Sequence, residues 1–210
     1  MEGVVEELYQ DYKRQHFADV EDLSVADLLA LQEKDEPRKA AVVLVDVRED
    51  NERAVSMLPC AVTEEQFWGW MKAKENEREQ EKEGEEVIVV PYCTIGYRSG
   101  LFARYLHQRF AQDGRRKGGE DERGERARRT SVKNLRGSLL AWTHEQQPLV
   151  TPEGNPTTRV HTFGKEWALV PPNYSAIYAT GVARWGLNAK TALRTARWAI
   201  VSSRSSSFFS

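Results

Sequence analysis

Cysteine is almost missing from this chain: only Cys60 and Cys93 occur in 210 residues. Two thiols cannot staple a fold, which excludes a disulfide scaffold and suits a reducing compartment. Long apolar runs are missing too, since none approaches the ~18 residues that a membrane-spanning helix needs. The opening Met-Glu-Gly-Val-Val-Glu-Glu is acidic. It lacks the basic-then-apolar order of a signal peptide and the Arg/Ser bias of a transit peptide, so the cytoplasm is the expected location. Neither sign of charge dominates: 30 Lys and Arg stand against 32 Asp and Glu, a net charge of −2. Bulk charge therefore argues neither for nor against a nucleic-acid partner. A hydrophobic content of 40% is still enough for one core, and 30% charged residues imply a well-solvated surface.

The most informative stretch runs from Val87 to Leu106. Val87-Ile-Val-Val90 is a short β-branched run that suits a central strand. From Leu101 the apolar residues Leu101, Phe102, Tyr105, Leu106 and Phe110 fall at helical spacing. The tight loop between them delivers the Cys93 sulfur to the start of the helix. There, loop amides and the positive end of the helix dipole converge on an anion. A thiol in such a setting has a pKa of about 3.5–7.5, against about 8.5 when free. Gly96 supplies the unusual φ of a tight loop, and Arg98 adds a fixed charge with a forked donor set.

Cys93-Thr-Ile-Gly96-Tyr-Arg98 resembles the active loop of the rhodanese family of sulfurtransferases, a Cys followed by four residues and Arg. The resemblance extends to both sides. Val42-Val-Leu-Val-Asp46-Val-Arg48-Glu49, with Glu52 and Ser56-Met-Leu-Pro59-Cys60-Ala61-Val62, looks like the family's strand, Asp-x-Arg and Ile-Pro-Gly-Ala stretch. Asn134-Leu135-Arg-Gly137-Ser138-Leu-Leu-Ala141-Trp142 looks like its closing segment. Two departures stand out: Cys60 where the family usually has the turn glycine, and Ser138 where it has a second glycine. The resemblance implies an α/β domain with a central, mainly parallel sheet and helices on both faces. It implies Cys93 as the catalytic residue and Thr94, Ile95, Gly96, Tyr97 and Arg98 as the donor-binding loop. Asp46 and Arg48 become supporting residues, and no cofactor or metal is expected.

The remaining chain divides by composition. Residues 1–16 read as an amphipathic helical extension, 17–150 as the rhodanese-like domain and 151–210 as a partly disordered C-terminal extension. Phe17-Ala-Asp-Val20 is expected as a short first strand, and Ser24 with Asp27 echoes a capping box. Phe67, Trp68, Trp70 and Met71 are expected to pack in the core. Lys72 to Glu86 alternates in sign and reads as an exposed helix. Residues 112–130 read as a disordered basic insert with no aromatic residues on which bases could stack, so no nucleic acid is expected. In the tail, Trp185, Ala189, Ala192, Leu193, Ala196 and Ile200 form an apolar helical stripe opposite Lys190, Arg194 and Arg197. Docking of that helix on the protein itself is expected ahead of weak contact with an anionic membrane surface. Ser202 to Ser210 is expected to be disordered.

Three chemistries compete. The first is sulfur transfer from a small donor such as thiosulfate to a thiol, cyanide or protein acceptor through a Cys93 persulfide, by a chain that is expected to be monomeric. The second is phosphatase or arsenate-reductase chemistry, for which related proteins generally use five residues between Cys and Arg; here there are four, Thr94 to Tyr97. The third is a non-catalytic interaction module, which commonly loses the cysteine.

Overall fold

The computed structural model describes residues 2–33, 40–77, 86–116 and 130–203. Its central sheet has five parallel strands in the order β1-β5-β4-β2-β3. These are β1 (Glu21–Leu23), β2 (Ala40–Asp46), β3 (Val62–Thr63), β4 (Glu86–Tyr92) and β5 (Thr130–Leu135). Strand β4 is central because its pleat is apolar on both sides. Val87 and Val89 face one core cluster, while Ile88, Val90 and Tyr92 face the other. Burial on both faces is what a parallel strand covered by helices requires.

Helices α1 (Glu2–His16), α4 (Glu64–Glu77), α5 (Tyr97–Arg116) and α7 (Gly181–Ser203) send Tyr9, Phe67, Phe102 and Trp198 into the first cluster. Helices α2 (Val25–Glu33) and α6 (Ser138–His144) send Leu28, Leu139 and Trp142 into the second. A short helix α3 (Asp50–Arg53) follows β2. Beyond α6 come two small ribbons: β6 (Leu149–Val150) with β7 (Pro156–Thr157), and β8 (Arg159–His161) with β9 (Ser175–Ile177). The fold class is the one expected.

Local chemistry accounts for the helix starts. Ser24 Oγ accepts the Asp27 amide at 3.0 Å and donates to its carboxylate at 2.5 Å. Thr63 and Gln66 make the reciprocal pair that opens α4. The expected strand at Phe17–Val20 is instead a turn, with β1 beginning at Glu21. Phe17 and Val20 are both buried there, three residues apart on one side of a turn that closes α1. The pair is apolar for the core's sake, not the sheet's.

Helix α5 runs to Arg116, into the segment expected as a loop; residues 117–129 lie outside the described residues. So do residues 78–85 of the charged run and 204–210 of the tail. His144 has a partner that the sequence did not suggest, the Leu169 carbonyl at 2.9 Å from Nε2.

Helix α7 corrects the expected apolar stripe. Trp185 and Leu193 are 79% and 75% exposed, whereas Leu187 and Trp198 are buried. The Trp198 ring lies 5.1 Å from that of Phe102 on α5. Arg194 reaches the Val47 and Arg48 carbonyls at 3.2 Å and the Glu49 carboxylate at 3.3 Å. An alanine-rich stripe buries little area, so one tryptophan and one arginine clamp set the roll of the helix. Among the described residues, no helix is long and apolar enough to cross a membrane.

Both departures from the glycine pattern keep a glycine-like backbone: Cys60 has φ 60° and Ser138 φ 50°. A side chain in this left-handed region costs roughly 1–2 kcal/mol. Cys60 is exposed, so Cys60→Gly removes that strain at little loss of contact. Allowing for the extra freedom glycine has when unfolded, it should stabilise the chain by about 0.5–1 kcal/mol, or roughly 1–4 °C in Tm. Thermal unfolding of Cys60→Gly beside Cys60→Ala checks this, because alanine keeps the strain. Equal melting of the two variants would rule strain out.

Candidate active site

The end of β4 hands the chain to a loop whose Cys93, Thr94 and Gly96 carbonyls are engaged by hydrogen bonds. The first amides of α6 supply part of this: Leu139 N–H donates to the Cys93 carbonyl at 3.2 Å and Leu140 N–H to that of Thr94 at 3.0 Å. These amides would otherwise be orphaned at a helix start. Asn134 Nδ2 holds the Gly96 carbonyl at 3.0 Å and the Tyr9 hydroxyl at 3.1 Å. Gly96 has φ 105°, and a Cβ there would meet the Tyr9 ring at 2.5 Å. Only glycine satisfies both the turn and the floor beneath it.

With those carbonyls engaged, the donors face the sulfur. Gly96 N–H lies 3.2 Å and the Ser99 hydroxyl 3.7 Å from Cys93 Sγ. Ser138 Oγ accepts the Cys93 amide at 3.2 Å and donates to the Leu135 carbonyl at 3.1 Å. Cys93 is only 1% exposed, and such burial by itself raises a thiol pKa. The charge of Arg98, then the Ser99 amide and hydroxyl and the Gly96 amide, outweigh it and hold the pKa below its ordinary value.

Arg98 does not reach into open space. Its Nη1 and Nη2 grip the two oxygens of Glu52 at 2.6 and 2.7 Å, and Nη2 also reaches Thr94 Oγ1 at 3.2 Å. Burial would raise the Glu52 pKa. The charge and hydrogen bonds of Arg98, the charge of Arg48 and the Glu49 amide instead bring it down to about 2. Asp46 and Arg48 form a second buried pair at 2.7 Å, with Arg48 Nη2 also on the Ser56 carbonyl at 2.6 Å. Tyr92 links this pair to the loop: its hydroxyl donates to Asp46 at 2.7 Å and accepts the Leu58 amide at 3.1 Å. Asp46 and Arg48 thus lie behind Cys93, connected to it through Tyr92.

Thr94, Ile95, Tyr97 and Arg98 line a pocket with Cys93, and its far wall comes from outside the motifs. Tyr12 of α1 makes a tilted ring contact with Tyr97 at 4.9 Å and with Trp167 at 6.1 Å. Phe163 lies over the Arg98 guanidinium at 5.2 Å, and Thr191 of α7 is also among the lining residues. His161, buried near Glu52 at 3.9 Å, has a lowered pKa. Its own burial and the charges of Arg48 and Arg98 outweigh the pull of Glu52, so it is neutral at neutral pH. Sequence reasoning passed over Glu52 as a site residue, and with it Tyr9, Ser99, Phe163, Trp167 and Thr191. Glu52's place within the matched motif was the available signal.

A parallel α/β sheet that presents a buried cysteine on the loop after its central strand defines a class of α/β domains built around such a loop. The chain belongs to the rhodanese-like domain family, whose model matches residues 24–145; that family is largely one of sulfurtransferases. Solved structures with which it shares similarity include a thiosulfate sulfurtransferase from Pseudomonas aeruginosa, at 14% identity and a TM-score of 0.45 over 90% of this chain. The chain spans only 27% of the length of that protein. Another is a Bacillus halodurans protein, at 20% identity and a TM-score of 0.36 over 70% of this chain and 87% of that one. A third, from Rhodopseudomonas palustris, is of unknown function and described as a possible tyrosine phosphatase. It has 22% identity and a TM-score of 0.37 over 69% of this chain and 92% of that one. Among curated proteins, none matches the chain.

Proposed function

We propose that the chain is a sulfurtransferase that passes sulfane sulfur from a small donor to a thiophilic acceptor through a persulfide on Cys93. The observation that carries this reading is the cradle around the sulfur, with the Gly96 amide at 3.2 Å and the Ser99 hydroxyl at 3.7 Å. The thiolate is the nucleophile, and a lowered pKa enlarges its share at a given pH. It attacks the outer sulfur of the donor, and the remainder leaves with the electron pair of the broken bond. The new Cys–S–S⁻ keeps a negative terminal sulfur, which fixed amides stabilise without reorganising. A thiol or cyanide then attacks that terminal sulfur, and Cys93 departs as thiolate. The four-residue spacing to Arg98 weighs against a tetrahedral phosphate, and so does the engagement of both Arg98 Nη atoms by Glu52.

Intact mass tests the reading. Thiosulfate should add one sulfur atom, and cyanide should remove it. Cys93-dependent phosphate release from an aryl phosphate, without sulfur uptake, would favour the phosphatase reading instead. The lowered pKa has its own test in alkylation by iodoacetamide. The rate follows the thiolate, so its inflection should lie below that of a free cysteine. An inflection at or above that of free cysteine, about 8.5, would show that the cradle does not activate the thiol.

A further inference from the structure

The pocket above Cys93 has a volume of about 180 Å³. Its walls are Tyr12, Ile95, Tyr97, Phe163 and Trp167, with Thr191 also among the lining residues. Resting on the sulfur-transfer reading, we infer that the donor it takes is a monoanion carrying an aromatic or bulky apolar group, an organic thiosulfonate or hydropersulfide, in preference to inorganic thiosulfate.

Charge is the first argument. Among the described lining residues the one cation is Arg98, and Glu52 neutralises it through both Nη atoms. His161 beside that pair is uncharged at neutral pH. A dianion brought against the Cys93 thiolate would leave most of its charge without a counter-ion, which is costly away from water. A monoanion brings less charge to a site whose fixed donors, the Gly96 amide and Ser99 hydroxyl, already face Cys93 Sγ.

Shape is the second argument. An apolar cavity of about 150 Å³ holds a benzene molecule, so this pocket has room for a ring. The wall aromatics are themselves in tilted contact, Tyr12 with Tyr97 at 4.9 Å and with Trp167 at 6.1 Å, a geometry that extends readily to another ring. Thr191 Oγ1 is enclosed and has no hydrogen-bond partner among the described residues. It is a donor available to a sulfonyl oxygen.

The step balances. The Cys93 thiolate bonds to the outer sulfur of the thiosulfonate while the bond from that sulfur to the sulfonyl group breaks. The electron pair leaves with the sulfinate. The donor's negative charge departs on the sulfinate, and Cys93 keeps its own as the persulfide; no proton or further reactant is needed.

The test uses the full chain and four donors: thiosulfate, methanethiosulfonate, para-toluenethiosulfonate and an aryl hydropersulfide. Persulfide loading is followed by intact mass, and each rate is divided by that donor's rate with free cysteine at the same pH. Burying a ring should favour the toluene donor over the methyl donor by at least about tenfold, with thiosulfate slowest. Phe163→Ala and Trp167→Ala should each shrink the toluene-to-methyl ratio, a quantity internal to each variant and insensitive to the fraction folded. Thr191→Val should slow both thiosulfonates relative to an aryl hydropersulfide, which has no sulfonyl oxygen. Thiosulfate loading as fast as the toluene donor, or a ratio that neither aromatic variant moves, would overturn the inference and leave sulfur transfer standing. No persulfide from any donor would overturn the sulfur-transfer reading itself.

Discussion

Cys93→Ser should abolish persulfide formation and lower sulfur transfer by at least about a thousandfold, as loss of a covalent nucleophile does elsewhere. Oxygen replaces sulfur in a site that is 1% exposed and already lined with donors, so the Gly96 amide and Ser99 hydroxyl keep a partner. Tm should therefore stay within a few degrees of the parent, and the loss is one of chemistry. Cys60→Ser is the control. Cys60 is exposed in the turn before β3 and takes no part in the loop that holds Cys93, so most activity should survive. Equal losses from the two substitutions, measured as cyanide-dependent turnover, would mean a relay between two thiols and would refute a single persulfide on Cys93.

The parts of the site legible in the sequence are those in which local pattern and position coincide. The run Val87–Val90 is β-branched because the strand is buried on both faces, and its end must carry the next loop. That placed Cys93 at the carboxyl edge of a central strand, where the structure has it. Contacts between distant segments were not legible. The helical spacing of Val5 and Tyr9 says that one face is buried, but not that Tyr9 forms the floor under Gly96. Phe163 and Trp167 lie in a stretch of weak periodicity, and only the path of the chain after α6 brings them over the loop. Helix α7 misled in a different way. Hydrophobicity favoured Trp185 and Leu193, but the space beside Phe102 accepts Trp198 and the end of β2 accepts Arg194. Tertiary fit outranked the stripe.

Arg98 shows the same limit at the centre of the site, and it carries the largest expected effect on stability. From the loop alone it is a donor-binding cation; in the structure its fork is closed on Glu52, 46 residues away. Glu52→Gln should destabilise the chain by about 3–5 kcal/mol, because it leaves the charge of Arg98 buried with Arg48 nearby. For a chain of this size that is a fall of roughly 10 °C in Tm. Removing both charges in Glu52→Gln with Arg98→Met should recover part of the loss, since an uncharged pair leaves no unmatched ion.

The pair also fixes a pH dependence. Glu52 titrates at about 2 in the folded chain against 4.5 ordinarily, so the unfolded chain binds the extra proton first. The stabilisation is complete above the ordinary value and drains away as pH falls from 4.5 towards 2. Denaturant midpoints taken across that interval should drop steeply for the parent and more gently for Glu52→Gln, which has no carboxylate to protonate. Parallel curves, or a variant melting within a degree or two of the parent, would mean that solvent screens the pair. Arg98 would then be free to hold a donor anion directly, and Arg98→Lys should weaken donor binding rather than the fold.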